Sequence, residues 1–286
     1  MISPASARDV GMRNPYDGCA FVDDLGAWAV GELVVNDADG PRGTVFVERG
    51  RICWAAARGL APRLTELLGA RAALAPTEME ALFLTCKQQR IPLGEHLVAR
   101  GVLDPTELRA ALLQHTIESL RHLCTAESRG KWCPRVGNGY SPRFTFATSE
   151  LLAEIGASSH AAIADRVRPI LEGSFDEGGW AAAFVRSAAC AYPEPILVHG
   201  SVPHAATMLV RFGKWAASAL DIASAFTDEA AVLSVARQTS TGAGSLVAFR
   251  HQGAVVTGQT GPHGAARILN QRAQERRRRD RENADL

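Results

Sequence analysis

The chain has 286 residues, of which 47% are hydrophobic and 21% charged, with a formal net charge of +1. This composition is typical of a globular protein with one large or two modest domains, and its near-neutral charge provides no global field that would attract nucleic acid. The N-terminus lacks an apolar signal-peptide region and no uncharged run is long enough to span a bilayer, so we expect a cytoplasmic protein without membrane insertion.

A flexible lead is expected over residues 1–18, and a β-meander follows it. Three short apolar runs predict strands at Glu32–Val35, Gly43–Val47 and Arg51–Ala56, because turn-forming residues separate them. Two further strands are predicted at 130–132 and 143–146. We expect these later strands to return to the meander.

Two predicted helix starts share the pattern Leu-x-Pro-Thr-Glu, at Leu74–Glu78 and Leu103–Glu107. Proline suits the first helical position because its missing N–H would have no helical partner there, and glutamate suits the third. Between the two starts, Leu93-Gly94 begins a short predicted helix that ends at Gly101. Residues 74–115 are therefore expected to form a helical hairpin, by duplication of a unit or by chance reuse of a good capping sequence.

The second half of the chain has a different pattern. A helix is predicted over residues 150–162, and a domain boundary is expected between 168 and 174. The elements predicted beyond it are a helix at Gly179–Ala191, a strand at Pro195–His199, a helix at Pro203–Phe226, strands at Ala231–Ala236, Ser245–Arg250 and Ala254–Thr257, and a helix from Gly264. This order predicts a small α/β sandwich over residues 174–271, with helices packed on an antiparallel sheet. The tail, residues 272–286, mixes arginines with acids and is expected to continue the last helix and fray into solvent, with a basic patch for nucleic acid or anionic partners as the less favoured alternative.

The meander segments Gly31–Val35 and Gly43–Ala55, together with Pro92–Leu103, resemble the PatA amino-terminal (PATAN) domain family of bacteria. In that family a short meander with a Gly-Arg-Ile signature precedes small helices and a closing strand. The resemblance implies a PATAN-like domain over residues 19–168. It also implies a place beside response-regulator and other signalling modules, and a role in protein–protein contacts without catalysis.

The helical segment is similar to the amino-terminal domain of type II secretion and pilus ATPases, some of which bind cyclic di-GMP through a repeated Arg-Leu-Gly motif. Here Pro92 stands where that motif has arginine, and one Leu-Gly copy is visible. The resemblance implies an alternative function as a cyclic-dinucleotide sensor. The residues of that alternative ligand site would be Arg90, Leu93, Gly94, Leu97, Gly101 and Gln114.

The predicted elements of residues 174–271 are similar in order to the roadblock/longin class of small α/β dimerisation domains, which partner small GTPases in bacteria. A strand expected directly after the first helix of that class is missing from the predicted order. Phe212, Trp215 and Phe226 on the predicted long helix are candidates for an apolar interface, with burial in the core as the alternative.

No Walker motif, nucleophile elbow or Cys-x-x-Cys pair is present in the sequence. His199 and His204 flank a glycine turn and could hold a metal or act in catalysis, but no carboxylate or cysteine lies near them in sequence. Cys124 and Cys133, with His122, fall short of the four ligands of a zinc site. The six cysteines are expected to be small buried side chains in a reducing compartment.

The sequence therefore predicts an α+β protein with an N-terminal antiparallel β-meander and helical hairpin, plus a smaller C-terminal α/β sandwich. The predicted function is that of a non-catalytic bacterial signalling adapter or scaffold, with no cofactor and no metal. Its partner would be a protein such as a response regulator or a small GTPase, and the chain could form a homodimer.

Overall fold

The computed structural model describes residues 9–278, apart from 126, 138, 176–178, 187–191, 201, 203, 225–231, 240–241, 262–263, 269, 272–273 and 275–276. It describes the backbone alone at 174, 224, 232–239 and 242–244. The chain divides into two compact units, Met1–Leu151 and Leu152–Leu286. Each unit contains helices and a five-stranded antiparallel sheet, so the predicted α+β class is confirmed.

The N-terminal unit combines one sheet with a group of helices. Its elements are β1 (Asp9–Gly11), α1 (Pro15–Leu25), β2 (Val30–Asp37), β3 (Gly40–Glu48), β4 (Arg51–Ala57), α2 (Leu64–Arg71), α3 (Pro76–Gln89), α4 (Leu93–Ala99), α5 (Pro105–Leu123) and β5 (Arg129–Pro134). The strand order is β1-β5-β2-β3-β4, which leaves β4 at one edge. The three predicted strands of the meander are confirmed, and β5 joins them between β1 and β2, as expected of the strand predicted at 130–132.

Two N-terminal predictions differ from the structure. Within the lead predicted over residues 1–18, Asp9–Gly11 pairs with β5 and α1 begins at Pro15, because the Asn14 side chain caps the helix by accepting the Asp17 N–H at 3.1 Å. The predicted strand at 143–146 is wrong. Pro142 begins a short 3₁₀ turn in its place, and residue 146 alone forms an isolated bridge to β4.

Both predicted Leu-x-Pro-Thr-Glu helix starts are confirmed, because α3 begins at Pro76 and α5 at Pro105. The side chain that caps the helix differs between the two starts. At α3 the Glu78 carboxylate accepts the Ala75 N–H at 2.9 Å, whereas at α5 the Asp104 carboxylate accepts the N–H of the second helical residue at 2.7 Å. The leucine before each start packs into the same apolar cluster, so the repeat orders both ends of the hairpin around one core.

The C-terminal unit contains a second sheet with helices on both faces. Its elements are α6 (Thr148–Ser159), which begins just before the unit boundary, α7 (Ala161–Ser174), β6 (Trp180–Val185), β7 (Glu194–Gly200), α8 (Ala206–Ser224), β8 (Val232–Thr239), β9 (Gly242–His251) and β10 (Ala254–Thr260). Residues 264–268 and 270–271 are also helical. The strand order is β7-β6-β10-β9-β8. The division between the units falls within α6, earlier than the boundary expected between 168 and 174, because α7 packs on β6 and β7.

The alanine-rich helix predicted at Gly179–Ala191 is wrong over its described residues. Trp180–Val185 forms strand β6, whose six residues are all buried between β7 and β10. Alanine favours helices in isolation, but burial on both faces of a central strand outweighs that local preference. The other strands predicted in this half are confirmed, as is the long helix over the extent of α8.

Side chains alternate across β6 and divide the C-terminal core into two layers. Ala181, Ala183 and Val185 face α7 and the helix that starts at residue 264, whereas Trp180 and Phe184 face α8. The sheet is therefore the middle layer of three. Among the residues that the structure describes, no helix is both long and apolar enough to cross a bilayer.

Candidate functional site

The N-terminal unit contains a cleft of about 1010 Å³ beside the edge strand β4. Buried residues form its floor, and they are Cys53, Leu68, Cys86, Leu108, His115 and Phe144. Exposed residues form two rims, which we name the β4 rim (Arg58, Gly59, Ala61, Arg63 and Glu66) and the α3 rim (Phe83, Lys87, Arg90 and Ile91). Sites for small ligands usually span roughly 300–1,000 Å³, so this cleft is large enough for a drug-sized molecule or several side chains of a partner.

Three aromatic side chains form one wall of the cleft. Phe46 on β3 pairs with Trp54 on β4, and their rings stack with centroids 4.2 Å apart and an interplanar angle of 13°. The indole N–H of Trp54 donates to the Tyr140 hydroxyl at 3.0 Å. The polar atom of the tryptophan is therefore satisfied, and the orientation of its ring is fixed before any ligand arrives.

Hydrogen bonds hold the loop that carries Tyr140 against the rest of the unit. The backbone N–H of Ser141 donates to the Glu95 carboxylate of α4 at 2.8 Å. From β4, the Arg51 guanidinium donates to the Thr145 hydroxyl at 2.7 Å and to the Thr145 carbonyl at 2.8 Å. Because these bonds reach both α4 and β4, the aromatic wall and the floor at Phe144 form one supported structure.

The structure brings three of the six predicted ligand residues to the cleft, and they are Arg90, Leu93 and Gly94. The other three lie outside its lining: Leu97 is buried in the helical core, Gly101 forms the left-handed turn after α4, and Gln114 donates to Glu118 from the exposed side of α5. The predicted set therefore does not converge on one site, although its first half does.

Arg90 has an unusual backbone conformation for an arginine. It ends α3 in the left-handed region, with φ 55° and ψ 39°, and the following N–H of Ile91 bonds back to the Cys86 carbonyl at 2.9 Å. Glycine is the usual residue in such a helix-ending turn, and a side chain there costs roughly 1–2 kcal/mol. A guanidinium is therefore kept at the α3 rim against a local conformational cost.

The rims of the cleft are rich in cations. Four cationic side chains lie there, and none of the four takes part in a salt bridge among the residues that the structure describes. The four are Arg58, Arg63, Lys87 and Arg90. A rim of this kind raises the local concentration of negatively charged ligands, an effect that salt screens.

Two thiols and one imidazole on the floor are held in their uncharged forms. Burial raises the pKa of the Cys53 thiol to about 12 and also raises the pKa of Cys86. Burial lowers the pKa of His115, whose Nδ1 lies 3.5 Å from the Ser119 hydroxyl. Because the thiolate is the nucleophilic form of cysteine, neither thiol is poised for covalent chemistry at neutral pH.

The structure describes two of the three interface candidates predicted for the C-terminal unit. Phe212 packs against Trp180, with ring centroids 4.8 Å apart, and Trp215 packs against the alanines of α8. Both are half-buried, and Phe226 lies outside the described residues. The exposed large apolar side chains of α8 are instead Met208 and Ile222.

Among the residues that the structure describes, His199 and His204 do not belong to a group of metal ligands. His199 lies on β7 and His204 precedes α8, while residues 201 and 203 between them lie outside the described residues. No three His, Cys, Asp or Glu residues in the described part of the chain are grouped so as to hold a metal. Four of the six cysteines are buried, Cys133 is half-buried and Cys190 lies outside the described part.

Sequence reasoning missed the aromatic wall. Counting outward from the Arg49-Gly50 turn would have paired Phe46 with Cys53, because a register shift between Phe46 and Val47 is what brings Trp54 opposite Phe46. Tyr140 is 86 positions from Trp54 and carries no local signal.

Comparisons of the chain with protein-family models, with curated proteins and with solved structures found no match. The function is therefore argued from the cleft and the fold.

Proposed function

We propose that the chain is a non-catalytic bacterial signalling adapter whose N-terminal unit binds a segment of a protein partner in the cleft. The observation that carries this proposal is the continuity between the apolar floor of the cleft and its exposed rim. Phe83 and Ile91 on the α3 rim are each 40% exposed. Exposed apolar side chains that adjoin a cleft mark sites of protein contact more often than isolated ones do.

The raised pKa values of the two floor thiols support binding over cysteine catalysis. Covalent cysteine chemistry would need a thiolate, whereas burial raises the pKa of both Cys53 and Cys86. The fixed ring of Trp54 supports the same proposal, because rigid aromatic side chains supply contact area at a low cost in conformational entropy.

Two neighbouring residues on α3 provide a matched test. Phe83 lines the cleft, whereas Leu84 is 50% exposed and does not. The full-length protein is used to capture partners from the native cell, with quantification by mass spectrometry. We expect Phe83→Ala to reduce recovery of the partner roughly tenfold or more, as for a buried aromatic anchor, and Leu84→Ala to leave recovery unchanged.

Equal recovery with both variants would contradict docking in the cleft. So would the failure of any protein to be recovered reproducibly by the unmodified chain. Folding of each variant is checked by circular dichroism before capture, because a loss of structure would also reduce recovery.

The C-terminal unit is part of the same proposal. The order predicted from the sequence lacked the strand that the roadblock/longin class has after its first helix. Strand β6 directly follows α7, and its presence supports the resemblance to that class. We propose that this unit dimerises or docks a small GTPase or a response regulator in the cytoplasm. Met208 and Ile222 on α8, being exposed, are better interface candidates than the half-buried Phe212 and Trp215.

A second candidate function is the sensing of a cyclic dinucleotide. It is favoured by the presence of Arg90, Leu93 and Gly94 in one cleft with the ring of Trp54, on which a base could stack. Isothermal titration with cyclic di-GMP tests it. Saturable heat that is lost in an Arg90→Ala variant is expected if the candidate is correct, and the absence of heat at high ligand concentration would reject it.

A further inference from the structure

The two carboxylates that line the cleft are already engaged by the fold. Glu66 accepts the backbone N–H of Arg63 at 2.9 Å, which caps the start of α2. Glu95 accepts the backbone N–H of Ser141 at 2.8 Å and so holds the loop of the aromatic wall. Each acid therefore has a local donor, and neither forms a salt bridge with a rim cation in the described part of the chain.

The cations of the rims lie on two separate stretches of chain. Arg58 and Arg63 belong to the β4 rim, and Lys87 and Arg90 belong to the α3 rim. All four are exposed, and the apolar floor is reached between two stretches that each carry a net positive charge, even with Glu66 counted. An occupant that contacts both rims is favoured by electrostatic complementarity if it carries negative charge on more than one of its groups.

The apolar lining determines the rest of the occupant's chemistry. Leu60, Leu64, Leu93 and Leu112 are half-buried in the cleft, and Phe83 and Ile91 extend the apolar surface outward onto the rim. A small anion would leave this surface exposed to water. A helix or extended segment with large apolar side chains on one face would cover it, as peptides do in other hydrophobic grooves.

We propose that the occupant of the cleft is an acidic amphipathic segment of a protein partner. Its large apolar side chains enter against the floor and the Trp54 ring, and its carboxylates meet the guanidinium and ammonium groups of the two rims. This inference rests on the proposed function, which it deepens by stating the chemistry of the partner. The net positive charge of the two rims favours this occupant over a basic or neutral segment.

A peptide selection tests the proposal without knowledge of the partner. Random 16-residue peptides are displayed against the full-length protein, and binders of the Phe83→Ala variant are subtracted. We expect the remaining pool to be enriched in Asp and Glu and to carry at least two large apolar residues per peptide. A pool that is basic or neutral, or the absence of a pool specific to the unmodified protein, would overturn the inference.

The peptide recovered most often is then synthesised with a fluorophore and titrated by anisotropy. Lys87 and Lys131 are both exposed lysines of the N-terminal unit, but Lys131 lies on β5 and outside the cleft lining. We expect Lys87→Glu to weaken binding roughly tenfold or more, since it places like charges together, and Lys131→Glu to change it little. Equal effects of the two substitutions would overturn the inference, as would displacement of the peptide by micromolar cyclic di-GMP.

The two proposals can fail separately. If partner capture depends on Phe83 while the selected peptides lack acidic residues, the adapter function stands and the acidic chemistry of its partner is wrong. If capture is also independent of Phe83, then both the proposed docking in the cleft and the proposed acidic partner are wrong.

Discussion

At Arg90 the left-handed backbone conformation lowers the stability of the fold, while the side chain is proposed to contribute to binding. Its backbone conformation suits glycine, yet the residue there carries one of the four cations of the rims. Arg49, in the tight turn between β3 and β4, has nearly the same conformation, with φ 54°, but lies outside the cleft lining. The two arginines therefore separate the conformational cost of the turn from the use of the side chain.

Replacing either arginine by glycine should stabilise the fold, but only the replacement of Arg90 should weaken binding. We expect Arg90→Gly and Arg49→Gly each to raise the free energy of unfolding by about 0.5–1 kcal/mol. This is the strain that glycine relieves in the left-handed turn, less the cost of the extra entropy that glycine gives the unfolded chain. Urea denaturation measures this change. We expect the affinity for the selected acidic peptide to fall with Arg90→Gly only. An unchanged affinity would remove Arg90 from the proposed site.

At the scale of elements, the glycine of the Leu93-Gly94 pair is explained by helix packing. A Cβ atom built at Gly94 would lie 2.5 Å from a methyl group of Leu108, which is fully buried on α5. Glycine therefore lets α4 approach α5 closely enough to close the floor of the cleft. This role requires no ligand, and it accounts for the Leu-Gly sequence without an arginine before it.

Two helical glycines, Gly94 and Gly69, should respond differently to replacement by alanine. We expect Gly94→Ala to lower the free energy of unfolding by about 1–2 kcal/mol, because overpacking against Leu108 outweighs the better helix propensity of alanine. At Gly69 in α2 the nearest atom to an added Cβ is a Met79 methyl at 3.5 Å, an ordinary contact. Gly69→Ala should therefore be neutral or stabilising by up to about 1 kcal/mol in the same urea titration. Equal destabilisation by both would reject close helix approach as the reason for Gly94.

The elements that could be predicted from sequence are those fixed by local chemistry. The starts of α3 and α5 followed from proline at the first helical position and from carboxylates that cap nearby N–H groups. Strand β6 could not be predicted, because its alanines favour a helix until β7 and β10 enclose them. The same distinction applies to the site. Arg90, Leu93 and Gly94 lie within five consecutive residues, whereas the contact between Trp54 and Tyr140 exists only after the chain has folded.

At the scale of the whole molecule, each unit builds its own sheet and its own apolar core. All residues that line the cleft come from the N-terminal unit. Substitutions at the α3 rim therefore test the N-terminal docking function, and substitutions at Met208 or Ile222 test the proposed role of the C-terminal unit. The two sets of variants can be combined to ask whether one partner or two are captured.

The contrast between the floor and the rims of the cleft has a consequence for divergence after gene duplication. Floor residues such as Leu108 and Phe144 belong to the core, so most substitutions there would be removed by selection for folding. Most substitutions at the exposed rim residues change stability little, so the rims tolerate more sequence change than the floor does. A duplicated copy could thus acquire a new partner by exchanging a few rim side chains, while inheriting the aromatic wall and the helical scaffold unchanged.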